Sequence, residues 1–281
     1  MNVYSLIRRM PRPMIEAAYR ALEAADAVPN AVRNLRRSPN EMPLPPMRLR
    51  ARVGSRGAGA FLQAGKSCAD ALRNAARTHL QIEIENAGRV LDFGCGCGRT
   101  LRHFSPAPIE GCDVDAPAIA WMQRSAGAER FAANRFDPPL PWHDATFDLV
   151  YSVSIFTHLD ETSQRDWLRE IARVVKPGGS ALLTVQSEHA LSMFLSDAIY
   201  STASMKRRLT ARGSLDRHGG FLFEPYEVDT TSMFPGVTKA YGLAFHSRAY
   251  IERVWSEWFD VRGIDVGSVD RLQDVVTLKR R

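Results

Sequence analysis

From residue 89 onward, apolar and polar positions alternate in the manner of strands separated by helices. Apolar runs at 89–93, 109–113, around Phe131, 147–152 and 180–186 read as strands, with longer amphipathic stretches between them. The helix at about 162–175 is the clearest, because Leu168, Ile171, Val174 and Val175 share a face and Lys176-Pro177-Gly178-Gly179 supplies both breaker types. Such alternation predicts an α/β fold around a mostly parallel sheet. A helix near 248–258 is followed by runs at 259–266 and 274–279, which suit an antiparallel hairpin on the sheet edge.

The flanking regions follow other patterns. Residues 13–28 place Ile15, Ala18, Tyr19, Leu22 and Ala25 on one face, predicting an amphipathic helix packed on the main domain. The four prolines at 39, 43, 45 and 46 cannot continue a helix and mark a connector. A helical pattern resumes over 60–80, with Phe61, Leu62, Cys68, Leu72 and Ala75 as candidate buried positions. Residues 187–247 lose the alternation and read as an inserted cap. Its aromatics, Phe194, Tyr200, Phe221, Phe223, Tyr226 and Phe234, either enclose a bound molecule or form the cap's own core. The expected division is an arm and connector over 1–59 and a main domain over 60–281 with the cap inside it.

Composition narrows the class. The chain has 281 residues, 45% hydrophobic and 24% charged, which suits one main domain of a soluble protein. No apolar run approaches the roughly 20 residues that span a bilayer. Arg8, Arg9, Pro11 and Arg12 break the first segment, which therefore lacks a secretory h-region, and a cytoplasmic address is expected. The four cysteines, Cys68, Cys95, Cys97 and Cys112, are expected as reduced packing residues. A C-x-C pair without a second ligand pair does not complete a zinc tetrahedron, so no metal is expected. The net charge of +6 owes much to Arg33, Arg36, Arg37, Arg48, Arg50, Arg52 and Arg56. These read as a solvated basic face with one or two arginines reserved for a ligand carboxylate or phosphate; an acidic partner is the alternative.

The candidate chemistry lies in Leu91-Asp92-Phe93-Gly94-Cys95-Gly96-Cys97-Gly98-Arg99, where a strand ends and a helix is expected to begin. Open α/β sheets bind ligands there, and glycines let the backbone approach them closely. Helix-terminal N–H groups would add an anion-favouring edge. Asp113 closes the next strand, where a carboxylate can accept both ribose hydroxyls of an adenosine, while Asp115 before Ala116-Pro117 fits a helix cap. A dinucleotide and S-adenosylmethionine both fit this outline. Asp92 favours the second, since a carboxylate repels a pyrophosphate and attracts a sulfonium and an α-ammonium.

On these motifs, residues 89–186 resemble class I S-adenosylmethionine-dependent methyltransferases with small-molecule or unassigned acceptors. LDFGCGCGRT resembles the family's first motif, GCDVD its ribose-binding acid, and the segments NRFDPPLPWHDATFDLVYSVSIFTHLDE and LREIARVVKPGGSALLTV its third to fifth strands. The resemblance implies a Rossmann-like sheet of about seven strands, the last reversed, with the segment 250–255 as the last helix. It also implies S-adenosylmethionine as cofactor. Asp92 and the backbone of Gly94, Cys95 and Gly96 would hold the methionine end, Asp113 the ribose, Val114 the adenine face, and Asn134 or Asp137 the adenine amino group; Gly98 would complete the cofactor-binding loop. Ser152 would line the pocket, and Arg50 or Arg52 would reach the cofactor carboxylate.

Methyl transfer from a sulfonium is an in-line displacement, so a base is needed only for a protonated acceptor. His158 is the candidate, with a pocket-lining role as the bland alternative; His246, Tyr241 and His143 are weaker ones. The fourth strand ends in Tyr151-Ser-Val-Ser-Ile155, without the Asn/Asp-Pro-Pro-aromatic turn of base amino methyltransferases. A small-molecule acceptor with an oxygen or nitrogen nucleophile is therefore expected, and no membrane. A nucleic-acid acceptor and a non-catalytic binding protein are the competing readings. The amino-terminal helix either covers the site or pairs subunits.

Overall fold

A computed structural model describes residues 12–104, 107–196, 201–226 and 241–281. Helices α1 (Arg12–Leu35), α2 (Met47–Arg52) and α3 (Ala58–Leu80) precede strand β1 (Val90–Phe93). Then come β2 (Glu110–Asp113), α4 (Ala116–Ala126), β3 (Phe131–Ala133), β4 (Phe147–Ser152), α5 (Glu161–Val174) and β5 (Val175–Val185). Helices α6 (Glu188–Ser196) and α7 (Ala203–Arg212) and strands β6 (Phe221–Pro225) and β7 (Gly242–His246) follow. Helix α8 (Arg248–Val254) leads to the closing strands β8 (Phe259–Val269) and β9 (Gln273–Arg280).

The main sheet has seven strands in the order β3-β2-β1-β4-β5-β9-β8. β1 to β5 are parallel; β9 is antiparallel to both β5 and β8, so it is the reversed strand and lies inside the edge strand β8. Alternation along the central strands feeds two cores. Val150, Ala181, Leu183 and Val276 face α5 and α8, whereas Leu149, Tyr151, Leu182 and Val275 face α3 and α4. Helix starts are set locally. Asp115, Asp160 and Ser247 accept from Ala118 N, Ser163 N and Tyr250 N at the first turns of α4, α5 and α8.

Several boundaries differ from the sequence expectations. The glycine loop leads into a 3-10 turn, Leu101–Phe104, and not an α-helix. Lys176-Pro177-Gly178-Gly179 ends α5 but runs into an early, irregular part of β5, with a register shift between the pairs Phe147–Val175 and Leu149–Ser180. Helix α1 continues through Pro29 to Leu35, because Asn30 Nδ2 donates to Pro45 O (3.2 Å) and Asn34 Nδ2 to Leu44 O (3.1 Å), pinning the last turns to the connector. It docks through this polar side. Leu22 and Ala25, expected at the interface, are exposed; the side chains of Ile15, Ala18 and Tyr19 lie outside the described residues.

Helices α6 and α7 pack on the two-stranded sheet β6-β7 through Ala190, Leu191, Phe194, Leu209, Leu222 and Phe245. Of the aromatics expected there, Phe194 belongs to this small core, Phe221 and Phe223 join the main core, and Tyr226 reaches the site described next. Tyr200 and Phe234 lie outside the described residues. Among the described residues, no helix is long and apolar enough to cross a membrane.

Candidate functional site

A cavity of about 540 Å³ opens at the carboxyl ends of β1, β2, β3 and β4. Its floor is the loop after β1. Gly94 and Gly96 have φ of 85° and 52°; a Cβ on Gly94 would lie 2.5 Å from Ile155, and one on Gly96 2.7 Å from Val53. Gly94 N and Cys95 N both donate to Cys112 O (2.8 and 2.9 Å), and Gly96 N donates to Asp113 Oδ2 (2.8 Å). These N–H groups are therefore engaged by the end of β2, and the expected anion-favouring edge is not built from them. Positive charge comes instead from Arg52 and Arg99, which both line the cavity.

Sequence reasoning did not single out Arg99, although it follows the last glycine of the motif; Arg99 Nη1 donates to Val53 O at 2.7 Å. Arg52 Nε lies 3.1 Å from Asp115 Oδ2, which ties α2 to the start of α4. Arg50, the other expected arginine, is fully buried and turned to Asp26 at 2.5 Å on α1, outside the cavity lining.

Two acids sit on the floor. Asp92 is 2% exposed and accepts the Tyr151 hydroxyl at 3.0 Å; burial pushes its carboxyl up to about 8 against the lowering effect of that bond. Asp113 accepts from Gly96 N and Asp115 N, each at 2.8 Å, and burial raises its carboxyl above the ordinary range despite these bonds. Val114 and Asn134 line the wall beyond it. Asn134 Nδ2 donates to Arg135 O (2.7 Å), leaving its buried Oδ1 without a partner. Asp137, the alternative to Asn134, is exposed and outside the lining.

Two expected positions need correction. The Ser152 hydroxyl donates to Phe93 O (2.8 Å) behind the wall, and Val153, Ser154 and Ile155 form the lining in its place. Gly98 also lies outside the lining, packed where a Cβ would meet Met122 and Met42. Ser154 adopts φ 62°, held by its N–H donating to Thr184 Oγ1 (2.7 Å), and nothing in the local sequence marks it.

The opposite end is aromatic. Phe136, Trp167, Tyr226 and Tyr241 line it with His158, whose ring stacks on Tyr241 at 4.9 Å. His158 Nδ1 lies 2.8 Å from Gly242 O and 3.0 Å from Tyr226 Oη. A carbonyl only accepts, so Nδ1 carries the proton and Nε2 keeps its lone pair. Burial lowers the His158 pKa, which keeps the ring neutral. Of the weaker candidates, Tyr241 lines the cavity. His246 is buried elsewhere against Gln164 Oε1 (2.8 Å), with its pKa pushed down to about 4, and His143 is exposed outside the lining. All four cysteines are free and buried.

Residues 90–179 match the family described as a methyltransferase domain. The segment is a class I S-adenosylmethionine-dependent methyltransferase domain. Over 97 residues the chain is 33% identical to the probable tRNA methyltransferase 9B of Bos taurus, covering 34% of this chain and 21% of that protein. Over 117 residues it is 34% identical to the fatty-acid O-methyltransferase of Mycolicibacterium smegmatis, covering 38% and 40% of the two chains. The alignment thus spans about a fifth to two fifths of these relatives. A crystal structure of a Pyrococcus horikoshii OT3 protein superimposes with a TM-score of 0.50 at 17% identity, over 77% of this chain and 91% of that one, and shares the fold.

The methyltransferase domain implies S-adenosylmethionine as methyl donor, and the residues present fit it. The buried Asp92 carboxyl suits a cationic group, the partnerless Asn134 Oδ1 suits an amino group, and Arg52 and Arg99 suit a carboxylate, all around one cavity.

Proposed function

We propose that this protein transfers the methyl group of S-adenosylmethionine to an oxygen or nitrogen of a small-molecule acceptor. When bound, the cofactor supplies a methyl group already activated as a sulfonium. Asp113 accepts from the ribose hydroxyls, Val114 packs on the adenine, and Asn134 Oδ1 accepts from its amino group. Asp92 faces the cationic methionine end, and Arg52 and Arg99 neutralise its carboxylate.

The observation that carries the acceptor reading is the neutral His158, with its Nε2 lone pair, at an aromatic end formed by Phe136, Trp167, Tyr226 and Tyr241. Aromatic walls exclude water and orient a planar or apolar molecule, and Nε2 takes the proton that a hydroxyl or amine must lose. The four free, buried cysteines accord with a reducing cytoplasm.

Calorimetric titration with S-adenosylmethionine, S-adenosylhomocysteine and NAD tests the cofactor. Binding of both sulfur ligands without NAD supports the reading; binding of neither overturns it and favours a non-catalytic role. Transfer of labelled methyl to a panel of phenols, amines and transcribed tRNA tests the acceptor. Labelling of tRNA alone, with steep salt dependence, would replace the small-molecule reading.

A further inference from the structure

Helix α1 is amphipathic with its sides reversed. Glu23, Asp26, Asn30 and Asn34 share one face and are half-buried against α2 and the connector, through Arg48, Arg50, Pro45 and Leu44. The opposite face is apolar and exposed. Of the seven exposed large hydrophobic residues among the described residues, five are on α1: Met14 at 53%, Leu22 at 51%, Val28 at 70%, Val32 at 40% and Leu35 at 86%. A helix that docks by its polar side and presents its apolar side to water has a second surface to cover.

The spacing of that face points to another helix. Met14, Ala17, Ala21, Ala24, Val28, Ala31 and Leu35 recur at steps of three and four over three heptads, and all are exposed. Leu22, Ala25 and Val32 flank this line and widen the apolar face, but its centre is mostly alanine. Small side chains suit close helix-on-helix packing, whereas lipid interfaces reward bulky ones. The seam is also nearly palindromic about Ala24. An antiparallel copy sets Met14 against Leu35, Ala17 against Ala31, Ala21 against Val28 and Ala24 on itself. Small residues at the centre let two backbones approach at a crossing point, and larger ones bridge the gap where the helices diverge.

Charge selects the same orientation. Arg33, Arg36 and Arg37 crowd the carboxyl end of α1 and the turn after it. Parallel pairing would bring both sets together, and antiparallel pairing holds them at opposite ends of a helix about 36 Å long.

We propose that α1 pairs antiparallel with α1 of a second copy of this chain, making a two-fold dimer centred on Ala24. The pairing also bears on the site. It anchors the helix that holds Arg50 through Asp26, and the α2 segment carrying Arg50 supplies Arg52 and Val53 to the cavity wall.

Light scattering coupled to size exclusion, at micromolar concentration, tests the proposal on the full chain. The expected mass is twice 31.4 kDa for the wild type and one chain for Ala24→Glu, with unchanged thermal melting showing that the substituted chain still folds. Orientation is read from introduced cysteines, since the native thiols are buried. Under mild oxidation Ala24→Cys should cross-link to itself. Ala17→Cys should not, but should cross-link when mixed with Ala31→Cys. A monomeric wild type, a dimer indifferent to Ala24→Glu, or self-linking of Ala17→Cys would each overturn the proposal. A monomer that co-sediments with anionic phospholipid vesicles, and loses this with Val28→Glu, would give the apolar face to lipid instead.

Discussion

The Tyr151 hydroxyl donates to Asp92 Oδ2 at 3.0 Å, and both side chains are buried where β1 and β4 lie side by side. The bond favours the carboxylate, yet burial outweighs it and holds the Asp92 carboxyl at about 8, against an ordinary 3.8. At neutral pH this acid keeps its proton until a cation comes within reach.

Cofactor affinity should therefore depend on pH. A cationic ligand favours the carboxylate, so binding below pH 8 releases a proton, and affinity rises by up to about tenfold per pH unit from pH 6 to 8. Titrations in buffers of different ionisation heat should show this release for S-adenosylmethionine at pH 6.5 and its loss at pH 9. Asp92→Asn should remove it. Because the folded-state value is raised, the ligand-free protein binds the extra proton between about pH 4 and 8, and its melting temperature should fall across that window. A heat of binding independent of buffer would sink this assignment.

Asp113 has two tasks: its oxygens hold Gly96 N and Asp115 N, and it remains on the cavity lining. Asp113→Ala should weaken binding of both sulfur ligands by about 1.5–3 kcal/mol, the usual cost of losing hydrogen bonds to a charged group. Titration calorimetry reads it. Asp113→Asn keeps one acceptor and should fall between. Equal affinity in wild type and Asp113→Ala would remove this residue from the site.

The strands, the glycine loop and the Asp115 cap were legible because each is written in a few consecutive residues. Side-chain direction was not. Ser152 and Ser154 are two residues apart at the end of β4, yet one bonds behind the wall and the other lines the cavity, because Thr184 on β5 holds Ser154 N. Arg50 and Arg52 likewise part company, since Asp26 lies 24 residues before Arg50 and draws it to α1. The tautomer of His158 depends on Gly242, 84 residues away. Long-range partners of this kind leave no periodicity to read.

His158→Ala should lower kcat by about 10²–10⁴-fold toward an acceptor that must lose a proton, with little change in cofactor affinity. Burial lowers the His158 pKa, so the acid limb of the rate profile should lie below the ordinary value of 6.5. Tyr226→Phe leaves the Gly242 carbonyl to fix the tautomer and should cost far less. Wild-type kcat in His158→Ala would reduce the histidine to a lining role.

Gly65 on α3 faces the back of the glycine loop after β1, where a Cβ would collide with the Arg99 carbonyl and lie 2.9 Å from His103 Nε2. In a helix interior, glycine to alanine ordinarily stabilises by up to about 1 kcal/mol. Here the sign should reverse. The obstacle is backbone, and the loop cannot yield easily because Arg99 is tied to Val53 O and Gly96 to Asp113. Gly65→Ala should destabilise by about 1–3 kcal/mol, as overpacked sites do, and weaken cofactor binding with it. Gly59→Ala on the same helix is the control, since a Cβ there meets nothing within 4 Å and the position is exposed. Denaturant melts of the two variants decide the matter: if both stabilise equally, α3 does not set the height of the loop, and the cavity floor rests on β2 alone.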